Sequence, residues 1–213
     1  MYNIVMSIQN NHNTASLKLN GENGRMIVHA SENHSSLSLI EKAVFERYDS
    51  PTRIQIGRVD DPQGIDLPED ATHYQECFLW TRTDATADLG DGRPGVWVLG
   101  FTSVQRGSFE DVLHETIQNG KSFTEIATSH VDIVAVLAGE EHNSVLTIGR
   151  WASVGRFLET VHTITKEKMP AAKLIKKLTL ARFNQYLAAT ELLSGIHTEY
   201  HPYKLIRNQV SSK

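Results

Sequence analysis

The run VDIVAVLAGEEHNSVLTIGRWASVGRFLETVH, residues 131–162, decides the fold of this chain. Residues 131–137 and 144–151 are two apolar stretches rich in β-branched side chains, and residues 139–143 between them begin with glycine and end with asparagine. Two apolar runs joined by a short turn predict a β-hairpin. Ser153 is the expected N-cap of the helix that follows, because apolar side chains then recur at helical spacing, at Val154, Phe157, Leu158 and Val161.

The residues on either side extend this hairpin into a domain. Residues 96–101 predict a strand, and Ser108 predicts the N-cap of a helix that ends at Asn119 and Gly120. Beyond the hairpin, Pro170 suits the first turn of a further helical stretch, and residues 181–196 fit either a closing strand or a helix. The order strand–helix–strand–strand–helix–(strand) is the split βαβ arrangement of a ferredoxin-like α+β domain.

The N-terminal part of the chain repeats this organisation in a fainter form. Its predicted elements are a hairpin (2–8 with 15–19), three strands (25–30, 53–59 and 74–83) and one helix (36–48). Residues 84–95 are rich in glycine, proline and aspartate and predict a linker. We therefore expect a divergent ferredoxin-like unit or a cap at 1–83 and a ferredoxin-like domain at 96–213.

Composition excludes several classes of protein. The chain has 213 residues, 40% of them hydrophobic, and a net charge of −4, which fits a globular fold and gives no basic field over the whole protein for nucleic acid. Cys77 is the one cysteine, so an intramolecular disulfide and a cysteine-based zinc site are excluded. The sequence has no apolar run long enough to cross a membrane and no signal-peptide pattern. We expect no membrane partner and a cytoplasmic location.

Two histidines are the candidate catalytic residues. His114 lies one turn after Glu110 on the first predicted helix of the C-terminal part, and His162 lies at the edge of the apolar face of the second. An imidazole titrates near neutral pH and can accept a proton from a phenol or an enol. The alternative interpretation is that both histidines lie on helix flanks and have no chemical role.

A second constellation carries metal-ligand chemistry. His197, Glu199 and His201 occupy alternate positions, so on a strand all three would share one face. Imidazole and carboxylate suit zinc, iron or manganese. We favour the alternative, a polar tail beside Pro202, because a metal site needs rigidly placed ligands; no metal is predicted.

The aromatic residues of the C-terminal part predict a binding pocket or a core. Pockets for small molecules are mostly apolar with a few polar groups, and such a pocket inside a barrel would take an apolar or aromatic molecule. The residues concerned are Trp97, Phe101, Trp151, Phe157 and Tyr186.

The run from Ser144 to His162, with a strand that ends in Trp151 and a serine-containing turn before the next helix, resembles the dimeric α+β barrel families, most closely the antibiotic-biosynthesis-monooxygenase type. The resemblance covers about residues 95–196. It implies two ferredoxin-like sheets paired into a barrel, either within one chain or in a homodimer. The haem-degrading branch of that family has an Asn on its first strand and a Trp and a His on its second helix. Here residues 99–102 contain no Asn, and the helix positions fall near Thr160 and Pro170, so haem degradation is not expected.

The resemblance implies a function, and the residues leave an alternative open. The first hypothesis is a cofactor-independent monooxygenase acting on a small aromatic or polyketide-like compound, with His114 or His162 as the base and Trp151, Phe101, Trp97 and Phe157 as pocket walls. No cofactor is then needed, because the deprotonated substrate reacts directly with oxygen. The alternative is a non-enzymatic ligand-binding or assembly protein with the same barrel, and the absence of a catalytic motif favours it.

Overall fold

The computed structural model describes residues 5–7, 16–18, 25–31, 42–58, 71–82, 94–139, 143–168 and 179–206. Within them the chain forms ten strands and three helices. In chain order these are β1 (Val5–Ser7), β2 (Ser16–Lys18), β3 (Arg25–Ser31), β4 (Lys42–Arg47), β5 (Arg53–Arg58), β6 (Thr72–Thr81), β7 (Val96–Val104), α1 (Phe109–Ile126), β8 (Val131–Gly139), β9 (Ser144–Trp151), α2 (Val154–Lys168), α3 (Leu180–Ser194) and β10 (Ile196–Ile206).

Eight of the strands close into one antiparallel barrel in the order β10-β4-β5-β3-β6-β8-β9-β7, with β7 paired back to β10. Strands β7 to β10 lie in the ferredoxin-like order fourth–first–third–second, and so do strands β3 to β6. The two sets join through the β6–β8 and β10–β4 pairings. Because one chain supplies all eight strands, closing this barrel requires no second chain. The homodimer and the division of the chain at residues 84–95 stay predictions.

The barrel interior is a packed core. All eight strands contribute buried side chains to one cluster, among them Phe45, Ile56, Leu99 and Leu146. A buried cation, Arg150, also lies in this layer, with its guanidinium 5.6 Å from the Trp97 ring centroid and its Nε 3.2 Å from a carboxylate oxygen of Asp132. Charge pairing and the aromatic face lower the cost of keeping this guanidinium out of water.

The three helices cover the outer face of strands β7 to β10. The predicted serine N-caps are confirmed: Ser108 accepts a hydrogen bond from the N–H of Asp111, and Ser153 accepts one from the N–H of Arg156, both at 3.2 Å. A second core lies beneath the helices and contains Val98, Val134, Trp151, Phe157, Leu158, Val161 and Phe183.

One predicted helix is a strand, and one predicted helix end is wrong. Residues 42–47 of the predicted 36–48 helix form strand β4, and residues 36–41 lie outside the described part of the chain. The buried residues of this strand are Ala43 and Phe45, two positions apart, which is the spacing of a strand. Helix α1 continues past Gly120 to Ile126. A Cβ at Gly120 would lie 3.3 Å from the Phe78 ring, so this glycine allows close packing rather than ending the helix.

The C-terminal residues form regular structure. Residues 180–194, left open by the sequence, are helix α3, which ends at Gly195 with φ 69°. Residues 197–201, interpreted above as a polar tail, lie inside β10, whose pairing with β7 and β4 closes the barrel. The predicted helical stretch after Pro170 and most of the predicted linker lie outside the described residues. Among the described helices, none has the length and apolar character needed to cross a membrane.

Candidate functional site

A cavity of about 450 Å³ lies between the outer face of strands β7 to β10 and helices α1, α2 and α3. We call it the helix–sheet cavity. Its lining is mainly apolar, with hydroxyl and amide groups interspersed. The lining residues are Thr102, Val112, Glu115, Thr116, Asn119, Gly120, Phe123, Val134, Val136, Thr147, Val161, Ile164, Phe183, Tyr186, Leu187, Thr190, Ile196, Thr198 and Tyr200.

Hydroxyl groups line the sheet side of the cavity. Thr102 and Thr198 lie directly opposite each other on β7 and β10, and their hydroxyl oxygens are 3.1 Å apart. Gly100 lies opposite both Tyr200 and Thr147. The Thr147 hydroxyl donates to the carbonyl of Gly100 at 3.3 Å. Neighbouring strands thus bring four hydroxyl groups to one wall of the cavity, since outward-facing side chains alternate along each strand.

Tyr200 is the aromatic residue of this wall. Its ring stacks on Phe183 with centroids 5.6 Å apart and also contacts Phe157 at 5.4 Å. A side chain at position 100 would overlap this ring, so Gly100 makes room for it. Burial raises the pKa of the Tyr200 hydroxyl to about 12, although a hydrogen bond with Thr147 acts in the opposite direction. The phenol therefore stays protonated at neutral pH and serves as a hydrogen-bond group rather than a base.

The helical walls are apolar except for a few polar groups. Helix α1 contributes Val112 and Phe123, α2 contributes Val161 and Ile164, and α3 contributes Leu187. Of the described residues that line the cavity, Glu115 alone carries a formal charge, and it lies on an exposed position of α1. No lysine, arginine or histidine is among them. This arrangement suits an apolar ligand that bears neutral oxygen groups.

The structure places both predicted catalytic histidines outside this lining. His114 is exposed on α1, and His162 is half-buried on α2. Neither is among the described residues that line the cavity. His114 is adjacent in sequence to the lining residue Glu115, and His162 is adjacent to the lining residue Val161. On a helix, adjacent side chains point in directions that differ by about a quarter of a circle.

The aromatic residues predicted to form pocket walls lie in three different parts of the structure. Trp97 packs in the barrel interior, with Phe101 against the same cluster. Trp151 and Phe157 contact each other at 5.3 Å in the core beneath the helices. Tyr186 lines the helix–sheet cavity. The pocket therefore lies outside the barrel, because the barrel interior is filled by side chains from every strand.

The residues of the metal hypothesis are joined by two hydrogen bonds and one longer ion-pair contact. On β10, Nε2 of His201 lies 2.9 Å from one oxygen of Glu199, and Nε2 of His197 lies 3.5 Å from the other. Nδ1 of His197 is 2.7 Å from a carboxylate oxygen of Glu191 on α3. The His201 hydrogen bond lowers the pKa of Glu199. Within the described part of the chain, no group of three or more such side chains has the geometry to hold a metal ion.

The chain has the ferredoxin-like α+β barrel fold. A solved anthrone oxidase-like protein superimposes with a TM-score of 0.52 at 12% identity, over 86% of this chain and 92% of that one. A Listeria monocytogenes ferredoxin-fold protein related to antibiotic biosynthesis monooxygenases gives 0.46 at 13% identity, over 86% and 96%. A heme-degrading enzyme of Listeria monocytogenes gives 0.44 at 12%, over 84% and 99%. No protein-family model and no curated protein sequence matches the chain.

Four residues of the site were missed by the sequence analysis. These are Thr102, Thr147, Thr198 and Tyr200. For Thr198 and Tyr200, the sequence signal was the alternation in β10, where Ile196, Thr198 and Tyr200 share a face. The metal hypothesis used the opposite face of this strand, which carries the histidines.

Proposed function

We propose that this protein binds a small, mainly apolar molecule that carries a carbonyl or hydroxyl oxygen, and that the helix–sheet cavity is the binding site. The observation that carries the proposal is the cavity itself, of about 450 Å³, with apolar helical walls facing a hydroxyl-lined strand surface. Its volume falls in the range of cavities that enclose drug-sized ligands.

The sheet wall supplies the polar recognition. One hydroxyl proton is used between Thr102 and Thr198, so the pair retains a second proton for a ligand oxygen. The protonated Tyr200 phenol is a further hydrogen-bond group, and the aromatic residues around it suit a planar ring. A ligand with no polar atom would leave these hydroxyls without ligand partners at a cost in affinity.

Titration with prodan, a neutral naphthyl ketone whose fluorescence reports an apolar environment, tests this proposal. Val112→Trp fills the cavity from α1, and Gln118→Trp adds the same side chain at an exposed position of that helix outside the lining. We expect saturable binding to the wild type and to Gln118→Trp, and at least tenfold weaker binding to Val112→Trp. No saturable binding, or equal binding by all three folded proteins, contradicts the proposal.

An enzymatic role at the same cavity is the second candidate. Oxygenation without a cofactor needs a base that reaches the ligand, and Glu115 is the carboxylate in the described lining. A phenol or enol deprotonated there would be oxidised by O₂, with one oxygen atom replacing two hydrogens of the substrate as a carbonyl and the other leaving with those hydrogens as water. Oxygen uptake that needs both a phenolic ligand and Glu115 supports this role. Uptake that survives in Glu115→Gln but is lost in His114→Ala or His162→Ala would assign the base to a histidine instead.

A further inference from the structure

We infer that Glu115 makes the helix–sheet cavity selective for charge, so that it binds neutral and cationic ligands more tightly than carboxylates of the same shape. The inference rests on the proposed function, since it concerns the ligand of the same site.

The composition of the lining carries this inference. Glu115 is the one charged side chain among the described lining residues, and the remaining polar groups are hydroxyls and amides. An anionic ligand entering this cavity would lose water, would meet no lysine, arginine or histidine in the described wall, and would approach a carboxylate. Each of these three effects disfavours the anion. A cation would lose water as well, but it would gain the carboxylate as a partner.

The position of Glu115 sets the size of the effect. Its side chain is exposed on α1, so solvent screens the interaction and the energy is that of a partly exposed charge pair. We expect about a fivefold difference in affinity for each unit of ligand charge, decreasing as salt is added.

Three naphthalene derivatives with the same substitution pattern provide the probes. Naphthamide, naphthoate and naphthamidine have nearly the same shape and are neutral, anionic and cationic at pH 7. Their affinities are measured by displacement of prodan. Glu115→Gln removes the charge in the cavity wall, and Glu125→Gln removes the same charge from an exposed position of α1 outside the lining. The second variant controls for the net charge of the protein.

The expected result is that wild type and Glu125→Gln bind naphthamide and naphthamidine more tightly than naphthoate. Glu115→Gln should raise the affinity for naphthoate relative to naphthamide about fivefold. If the wild type binds naphthoate and naphthamide equally, or if the two variants have equal effects, Glu115 does not select ligands by charge. Binding in the helix–sheet cavity would still be supported by such a result. If prodan and all three probes fail to bind, the proposed function is wrong and the selectivity falls with it.

Discussion

The side-chain amide of Asn184 forms two hydrogen bonds with the backbone of Tyr200. It donates to the Tyr200 carbonyl at 2.8 Å and accepts from the Tyr200 N–H at 3.0 Å. Strand β10 pairs with β4 from Tyr203 onward, so at Tyr200 the amide of a helix residue takes the place of a neighbouring strand. This contact attaches α3 to the strand that carries Tyr200 and Thr198, and thereby fixes two walls of the cavity relative to each other.

Replacing Asn184 should loosen this attachment. Asn184→Ala leaves both backbone groups of Tyr200 to find other partners, and we expect a loss of about 2 kcal/mol in the free energy of unfolding. Gln185→Ala, at an exposed neighbouring position of α3, should change it by less than about 0.5 kcal/mol. Urea denaturation followed by tryptophan fluorescence measures both. Equal stability of the two variants would show that the amide does not hold the helix.

A methyl group at position 100 should disturb the sheet wall. The side chain of Gly100→Ala would overlap the Tyr200 ring and the Thr147 hydroxyl, so we expect a loss of about 1–3 kcal/mol in stability and weaker prodan binding. Gly155→Ala on α2 is the matched control, because its Cβ would have only Ser153 Oγ nearby, at 3.6 Å. That change should be neutral or raise stability by up to about 1 kcal/mol. Thermal unfolding and prodan titration of both variants check the prediction, and an unaltered Gly100→Ala protein would refute it.

The stability of the fold should fall in strong alkali. Burial raises the pKa of Tyr203 from 10 to about 12 in the folded protein, and Tyr203 is 2% exposed. The unfolded chain therefore loses this proton first. The stability that the buried Tyr203 phenol contributes is fully present below pH 10 and is lost between about pH 10 and 12, by at most about 3 kcal/mol. Urea unfolding across this range should show a smaller decline for Tyr203→Phe than for Tyr48→Phe, whose tyrosine is 57% exposed in the wild type. Identical declines would contradict the assignment.

The histidine variants separate the sequence-based site from the structural one. His114→Ala and His162→Ala should bind prodan with a Kd within about twofold of the wild type, because neither side chain is in the described cavity lining. Thermal midpoints check that His162→Ala, a change at a half-buried position, still folds. A tenfold loss of prodan binding in a folded variant would show that the replaced histidine belongs to the binding site.

The overall fold was easier to predict from the sequence than the residues at which its strands and helices begin and end. The hairpin of β8 and β9 and both serine N-caps were predicted, because alternation and capping are local properties of the chain. The closing strand β10 was not, since one face of it carries His197, Glu199 and His201, and Tyr203 is the one buried residue of the strand. Strand β4 was missed for a related reason: Ala43 and Phe45 are buried only because the barrel closes over them.

The candidate site could be predicted from the sequence only in part. Tyr186 was identified because an aromatic residue is an obvious pocket wall. Thr102 and Thr147 were not, because a threonine on a strand signals nothing until the strand register brings the hydroxyls together. Trp97 and Phe101 were assigned to a pocket inside the barrel on residue type. They lie with the barrel core, whose cluster receives buried side chains from all eight strands.

Methyl NMR of the protein titrated with naphthamide locates the bound ligand. We expect shifts at the cavity methyl groups of Val134, Val136, Val161 and Ile164, and unchanged methyl signals for Ile133 and Leu146 in the barrel interior. Shifts confined to the barrel interior, or no shifts at saturating naphthamide, would contradict the assignment of the helix–sheet cavity as the binding site.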